Sequence, residues 1–317
     1  MSARCRSTAR RCSARCARRR SAGGSGRGVE FRRPSSPDEA VAALGDGAMA
    51  LAGGTELVAL MRDGIVAPST LILLEGLVPK GLLYRSIQDQ QPVATGTTIT
   101  IGAGTTLGEL EVDPEIPAAL REACASAASP QLRAMSTLGG NLLQATRCWY
   151  WRLDYPCRLH GGDRCFAREG EHREHAIFAN DFCASAHPSD LAAALLALGA
   201  TVRTTSRELP VAELYRLPTE DDRRTTTLAP DELILELDVP APEASAYLKA
   251  MDRKQWSFAI VGVAAARTGA ETRLALAGVA PIPWLLDSLD QATPLPGNAF
   301  KVDVAKALVQ DARAAVA

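Results

Sequence analysis

Residues 145–187 constrain this chain more than any other stretch. They hold Cys148, Cys157, Cys165 and Cys183, all four histidines and two of the four tryptophans. They follow neither a two-residue nor a 3.6-residue apolar period, so they cannot supply a sheet or helix layer of their own. A run this long without periodicity reads as a functional excursion from a scaffold built by its flanks. The cysteines are separated by 8, 7 and 17 residues. That is neither the close CxxC pairing of zinc modules nor the CxxCxxC run of small ferredoxins. Spacing alone leaves three readings open: unligated thiols, an iron–sulfur cluster, or zinc, with His160, His172, His175 and His187 near enough in sequence to share in a mixed site. A disulfide framework is not expected in a 317-residue chain without a recognisable secretory signal.

The flanks supply ordinary globular material, with 47% hydrophobic residues. The net charge of −1 conceals a split: residues 1–33 hold eleven arginines and a single acid, Glu30. The remainder is therefore acidic, which argues against phosphate-backbone binding as the main role and excludes nucleic acid as an expected partner. No run of 18 apolar residues occurs, so no membrane span is expected. Residues 1–29 lack an apolar core segment and read as a disordered Arg-rich tail, with a transit-like peptide as the alternative. The compartment is expected to be cytoplasmic or periplasmic. Cys5, Cys12 and Cys16 lie in the tail, and Cys124 sits in an Ala-rich helical pattern as a small buried residue.

From Glu30 onward the pattern alternates strand and helix. Ser35-Ser36-Pro37-Asp38-Glu39 is a helix start, with a polar cap, proline in the first turn and acids at the positive end of the dipole. Residues 48–51 and 71–74 read as apolar strands around a short helix at 57–62, a unit that favours a parallel pair. Residues 97–103 alternate as a half-buried strand, and 107–110 and 118–128 read as helices. Residues 129–141 read as a loop. Further helix is expected at 190–198 and strand at 200–204 and 233–239. Strands at 245–252, 260–267 and 272–277 precede an amphipathic final helix over 302–317. Pro240-Ala241-Pro242 marks a boundary between a unit spanning 30–239 and one spanning 240–317.

Two glycine pairs stand out: Ala52-Gly53-Gly54-Thr55-Glu56-Leu57 and Thr137-Leu138-Gly139-Gly140-Asn141. Paired glycines let backbone approach a diphosphate closely, although each pair alone is more often a tight turn. Neither fits GxGxxG or the P-loop. Gly102-x-Gly104 reads as a strand-end turn.

The blocks AGGTELVALMRDGIVAPSTLILL, ASPQLRAMSTLGGNLLQATRCWYWR and AHPSDLAAALLALGA resemble, in order and spacing, the FAD-binding medium subunit of the xanthine dehydrogenase and carbon monoxide dehydrogenase family. The resemblance covers roughly residues 30–285. It implies an α/β (α+β) chain with the two-subdomain FAD-binding fold of the PCMH/VAO type, not a Rossmann fold, followed by a small C-terminal α/β domain. It implies that Ala52, Gly53, Gly54, Thr55, Glu56 and Leu57 wrap the FAD diphosphate, with Glu56 where the family more often has Asp. Ser129, Thr137, Gly139, Gly140 and Asn141 would form the second wall, and Ser189 and Asp190 would face the adenosine side. Lys249 would lie near the flavin ring, where a cation favours anionic reduced flavin. Residues 147–178 resemble an insertion in a subset of the family, the aldehyde oxidoreductase type, in which four cysteines carry a [4Fe–4S] cluster. The resemblance therefore assigns that cluster to Cys148, Cys157, Cys165 and Cys183, with Trp149, Tyr150 and Trp151 packed over it. It also implies separate partner polypeptides: a molybdenum-cofactor large subunit, a small subunit with two [2Fe–2S] clusters, and an external electron acceptor. No acid–base pair is expected. The stretch after Trp284 is shorter than in the family, so a trimmed C-terminal domain is expected. Two rival readings are a stand-alone flavin oxidoreductase and a zinc-stabilised scaffold.

Overall fold

The structure is a computed structural model and describes residues 28–82 and 97–317. The Arg-rich segment 1–27, expected to be a disordered tail, lies outside the described residues. Among the described residues three sheets organise the fold. Strands β1 (Glu30–Arg32), β2 (Ala48–Leu51) and β3 (Thr70–Leu73) form the first, in the order β1-β3-β2. Both pairings are parallel, and the β2–β3 pair is the one that the strand–helix–strand reading of 48–74 favours. The helix Pro37–Ala43 packs on this sheet and starts where the sequence signals it. Ser36 caps Glu39 N, with proline at the first position and Asp38 and Glu39 in the first turn.

The second sheet is antiparallel, in the order β4-β7-β5-β6, from Thr98–Gly102, Ile234–Pro240, Thr201–Thr204 and Glu208–Pro210. The third is antiparallel too, in the order β11-β10-β9-β8. It is built from Trp284–Leu285, Glu271–Ala277, Val261–Thr268 and Ala244–Ala250. Sheet membership changes between Pro240 and Ala244.

Between these two sheets runs the helix Asp190–Leu198, all nine residues of which are buried. Its sequence, DLAAALLAL, is apolar all round after the first residue, as a helix with no solvent face must be. Burying each of its four leucines contributes about 2 kcal/mol. It packs into one core with Leu120 and Ala123 of the helix Ala118–Ser126, Leu237 of β7 and Ala264 of β9. The final helix, Phe300–Ala315, closes the other face of the third sheet through Ala305 and Ala312, together with Ile177 and Phe178 from the end of the cysteine-rich stretch. Phe178 stacks on Trp284 at 5.2 Å. Cys124 is fully buried, and burial pushes its thiol up, as a structural cysteine should behave.

Residues 129–141 depart from the loop reading. They form two short helical turns, Pro130–Arg133 and Leu138–Leu142. Ser129 caps the first through Leu132 N, and Thr137 caps the second through Gly140 N. Turns of four or five residues are too short to leave a period in the sequence.

Candidate cofactor site

The two glycine segments meet. A side chain on Gly53 would place its first carbon 1.7 Å from Met135 O, so only glycine lets these backbones touch. Gly54 takes a φ of 73°, and Thr55 Oγ1 lies 2.8 Å from Ser136 Oγ. The second segment is zipped to the end of β4 by Leu138 N donating to Thr105 O and Gly139 N donating to Ala103 O. Asn141 Oδ1 accepts from Ser189 Oγ at 2.6 Å. Residues 52–57, 137–141 and 189–190 thus form one connected wall, although they are far apart in sequence.

The side chains expected to touch a dinucleotide are also engaged with one another. The Ser129 and Thr137 hydroxyls serve as helix caps. Ser189 Oγ caps Ala192 N. Asp190 Oδ1 accepts from Tyr247 Oη at 2.5 Å, and Asp190 Oδ2 accepts from Lys249 Nζ at 2.7 Å. Lys249 also donates to Ser126 O. Only 4% of either charged side chain is exposed, so the lysine expected to act on a flavin has its charge neutralised by a carboxylate. Tyr247 reaches Asp190 across Gly262, the β9 partner of Lys249; a first side-chain carbon on Gly262 would sit 2.1 Å from Tyr247 Oη. Burial and the adjacent carboxylate push the Tyr247 phenol up. Sequence reading did not find Tyr247, because an inward tyrosine on a strand looks like any core aromatic.

Glu56 behaves differently from its glycine-loop neighbours. It occupies the N-cap of the helix Leu57–Arg62 without capping it. Its carboxylate turns to the cysteine-rich stretch. There Oε1 accepts from Arg152 Nη2 at 2.6 Å and from Ala145 N at 3.3 Å, and Oε2 lies 2.7 Å from Arg147 Nη2. Arg147 in turn lies over the Phe258 ring at 4.7 Å.

Two cavities adjoin. The larger is lined by residues including Arg147, Cys148, His175, His187, Phe258 and Ile260. The smaller is lined by all four of Cys148, Cys157, Cys165 and Cys183, with Tyr150 and Phe166 among the rest. Cys148 lines both. All four thiols are free. They do not converge on a point: among the described residues no three His, Cys, Asp or Glu side chains are placed to share one metal ion. Each of three thiols has a polar neighbour. Cys148 Sγ lies 3.2 Å from His175 Nε2, Ala184 N donates to Cys165 Sγ at 3.4 Å, and Cys183 Sγ donates to Ser185 Oγ at 3.3 Å. Tyr150 stacks near Phe166 and Trp151 on His160, while Trp149 turns its edge to His175. Tyr150 and Trp151 therefore line the cysteine cavity and Trp149 the larger cleft.

The histidines serve the protein frame. His187 is buried against Tyr215, and burial holds its pKa down to about 3. His172 accepts from Gly297 N through Nε2. Burial lowers His175 to about 4, with Lys301 adding to the effect.

Residues 27–242 match the model of a family described as the FAD binding domain in molybdopterin dehydrogenase. The chain belongs to that family. A relative within reach of the whole flavoprotein domain is the aldehyde oxidoreductase FAD-binding subunit PaoB of Escherichia coli K12. It is 34% identical over 305 residues, covering 87% of this chain and 94% of the relative. The carbon monoxide dehydrogenase medium chain of Afipia carboxidovorans is 35% identical over 120 residues, 35% of this chain and 38% of that one. Among solved structures, carbon monoxide dehydrogenase from Hydrogenophaga pseudoflava shares the fold of this flavoprotein subunit with a TM-score of 0.63 at 24% identity, covering 91% of this chain and 96% of that chain. The α/β architecture and FAD binding implied by the resemblance therefore stand.

Proposed function

We propose that this chain is the flavin-bearing electron-transfer subunit of an aldehyde-oxidising molybdenum hydroxylase, and that it carries a [4Fe–4S] cluster beside its FAD. The observation that carries the second half is the lining of one cavity by Cys148, Cys157, Cys165 and Cys183. Four thiols around one space are the ligand number of a [4Fe–4S] cluster. A backbone N–H on Cys165 and the partly buried setting are features that tune such clusters.

For FAD, the fit is the close contact of Gly53 with Met135, which leaves a wall of backbone where a diphosphate needs close approach. Ala52–Leu57 and Thr137–Asn141 would hold the dinucleotide, with Ser129, Ser189, Asp190 and Lys249 supporting the same wall. Bound FAD supplies exchange between one-electron and two-electron partners; the protein positions it and shields it. We divide the chain into a FAD-binding unit, residues 30–239, and a C-terminal unit, 240–317. Partners in this reading are a molybdenum-cofactor large subunit and a small [2Fe–2S] subunit, forming a heterotrimer that delivers electrons to an external acceptor. Among the described residues no helix is long and apolar enough to cross a membrane.

Absorption spectroscopy tests the reading. Flavin bands near roughly 370 and 450 nm, with broad iron–sulfur absorbance about 400 nm, are expected. Cys157→Ser should remove most iron while FAD stays measurable. A colourless protein containing zinc would overturn the proposal, and unchanged iron in Cys157→Ser would remove Cys157 from the ligand set.

A further inference from the structure

We infer that Glu56 couples the two cofactor sites: its carboxylate ties the diphosphate loop to the first cysteine loop, so that retention of the dinucleotide and retention of the iron depend on each other. The inference rests on the reading of both sites given above. Glu56 lies directly after Gly53-Gly54-Thr55, and it starts the helix Leu57–Arg62. A short acidic side chain, Asp, at an N-cap ordinarily accepts from its own helix. Glu56 does not: Oε1 accepts from Arg152 and Oε2 is ion-paired with Arg147.

What they engage is the approach to Cys148 from both sides. Arg147 precedes Cys148, and Arg152 ends the short helix Trp149–Arg152 that follows it. Arg152 spreads the order further, with Nε donating to Thr146 O at 3.0 Å and Nη2 lying 3.5 Å from Ala145 O. Thr146 Oγ1 then accepts from Cys148 N at 3.2 Å. Arg147 reaches Gln144 Oε1 at 2.8 Å. Residues 144–152 are thus gathered around one carboxylate. The side chains of Glu56 and Arg152 are 18% and 16% exposed, so the contact is shielded from competing water. The pair is charge-assisted, and an unpaired buried arginine is costly, so displacing Glu56 displaces the loop.

The linkage follows. Whatever orders residues 53–56 fixes the Glu56 carboxylate, which fixes residues 144–152 and the position of Cys148. The coupling is reciprocal by thermodynamic necessity. An aspartate at position 56 would keep the charge yet be one methylene shorter, well placed to cap its own helix and too short to span to Arg152.

The test uses the full chain purified with the partners it retains. Iron release to a chelator is timed with FAD bound and after FAD removal, and FAD dissociation is timed with and without the cluster, the latter in Cys157→Ser. The inference expects wild-type iron release to speed up about fivefold or more on FAD removal, and FAD dissociation to speed up in the cluster-free variant. In Glu56→Asp and Glu56→Gln both ratios should fall toward one. Arg152→Leu, altered from the other side of the contact, should do the same even if one Glu56 variant folds poorly. Unchanged ratios in all three variants, with iron present, would overturn the coupling alone. A wild-type chain that holds FAD but no iron would overturn the cluster reading and the coupling together.

Discussion

Two buried titratable arrangements, Asp190–Lys249 and His187, set how single residues hold this molecule together. Asp190 and Lys249 are each almost wholly buried and satisfy one another. Removing one partner leaves an uncompensated charge inside, a loss of about 3–5 kcal/mol. Asp190→Asn should therefore lower urea-unfolding stability by about that amount, whereas the paired replacement Asp190→Leu with Lys249→Met should cost less. A drop under about 1 kcal/mol for Asp190→Asn would mean that the pair is dispensable. His187 gives a pH dependence of definite sign. Its folded pKa is depressed to about 3 by burial, below the ordinary value of roughly 6.5. As pH falls below roughly 6.5, the unfolded chain takes up a proton that the folded histidine refuses. Stability from this residue is complete above that pH and declines toward about pH 3, at up to about 1.4 kcal/mol per pH unit. His187→Gln should flatten the slope of unfolding free energy between about pH 6 and 4. An identical slope in the variant would assign the pH sensitivity to other groups.

At the scale of elements, the final helix and the cysteine-rich stretch are fastened by one buried cation. Lys301 is fully buried, and its ammonium donates to Gly278 O at 2.6 Å, His175 O at 2.9 Å and Glu174 O at 3.3 Å. Asn298 adds bonds to His175 O and Ala176 O. Burial pulls Lys301 down to about 7, yet all three of its donors have acceptors. Lys301→Met keeps the stem and abandons three carbonyls, so it should cost roughly 3 kcal/mol and lower the melting temperature; an unchanged melting temperature would refute this fastening. The elements themselves were unevenly legible in the sequence. Residues 48–51, 57–62 and 190–198 could be placed residue for residue, because apolar runs there are bounded by glycine or by a capping serine. β1 was missed because its three residues are all exposed and carry no pattern. The contact of Glu56 with Arg152 spans 96 residues, and charge pairs at that range have no register to read. Gly53 and Gly139 were recognisable as special, but Met135 and Ala103, the atoms they make room for, were not.

For the whole molecule, the three sheets and the buried helix Asp190–Leu198 form a frame that holds two glycine segments against each other and suspends a cysteine-lined cavity beside them. The positions of most strands and helices were legible in the sequence, but their grouping into three sheets was not; nor was the shared placement of Cys148 in both cavities, since it depends on how residues 145–187 fold back on that frame. Family membership accounts for the flavin half of the account. The cluster half stands on the four thiols. The measurement that decides between them most directly is the content of FAD and iron in the purified full-length chain, each expressed per polypeptide. About one FAD and about four irons per chain are expected. A chain carrying FAD with no iron above background, or with one zinc on its cysteines, would contradict this.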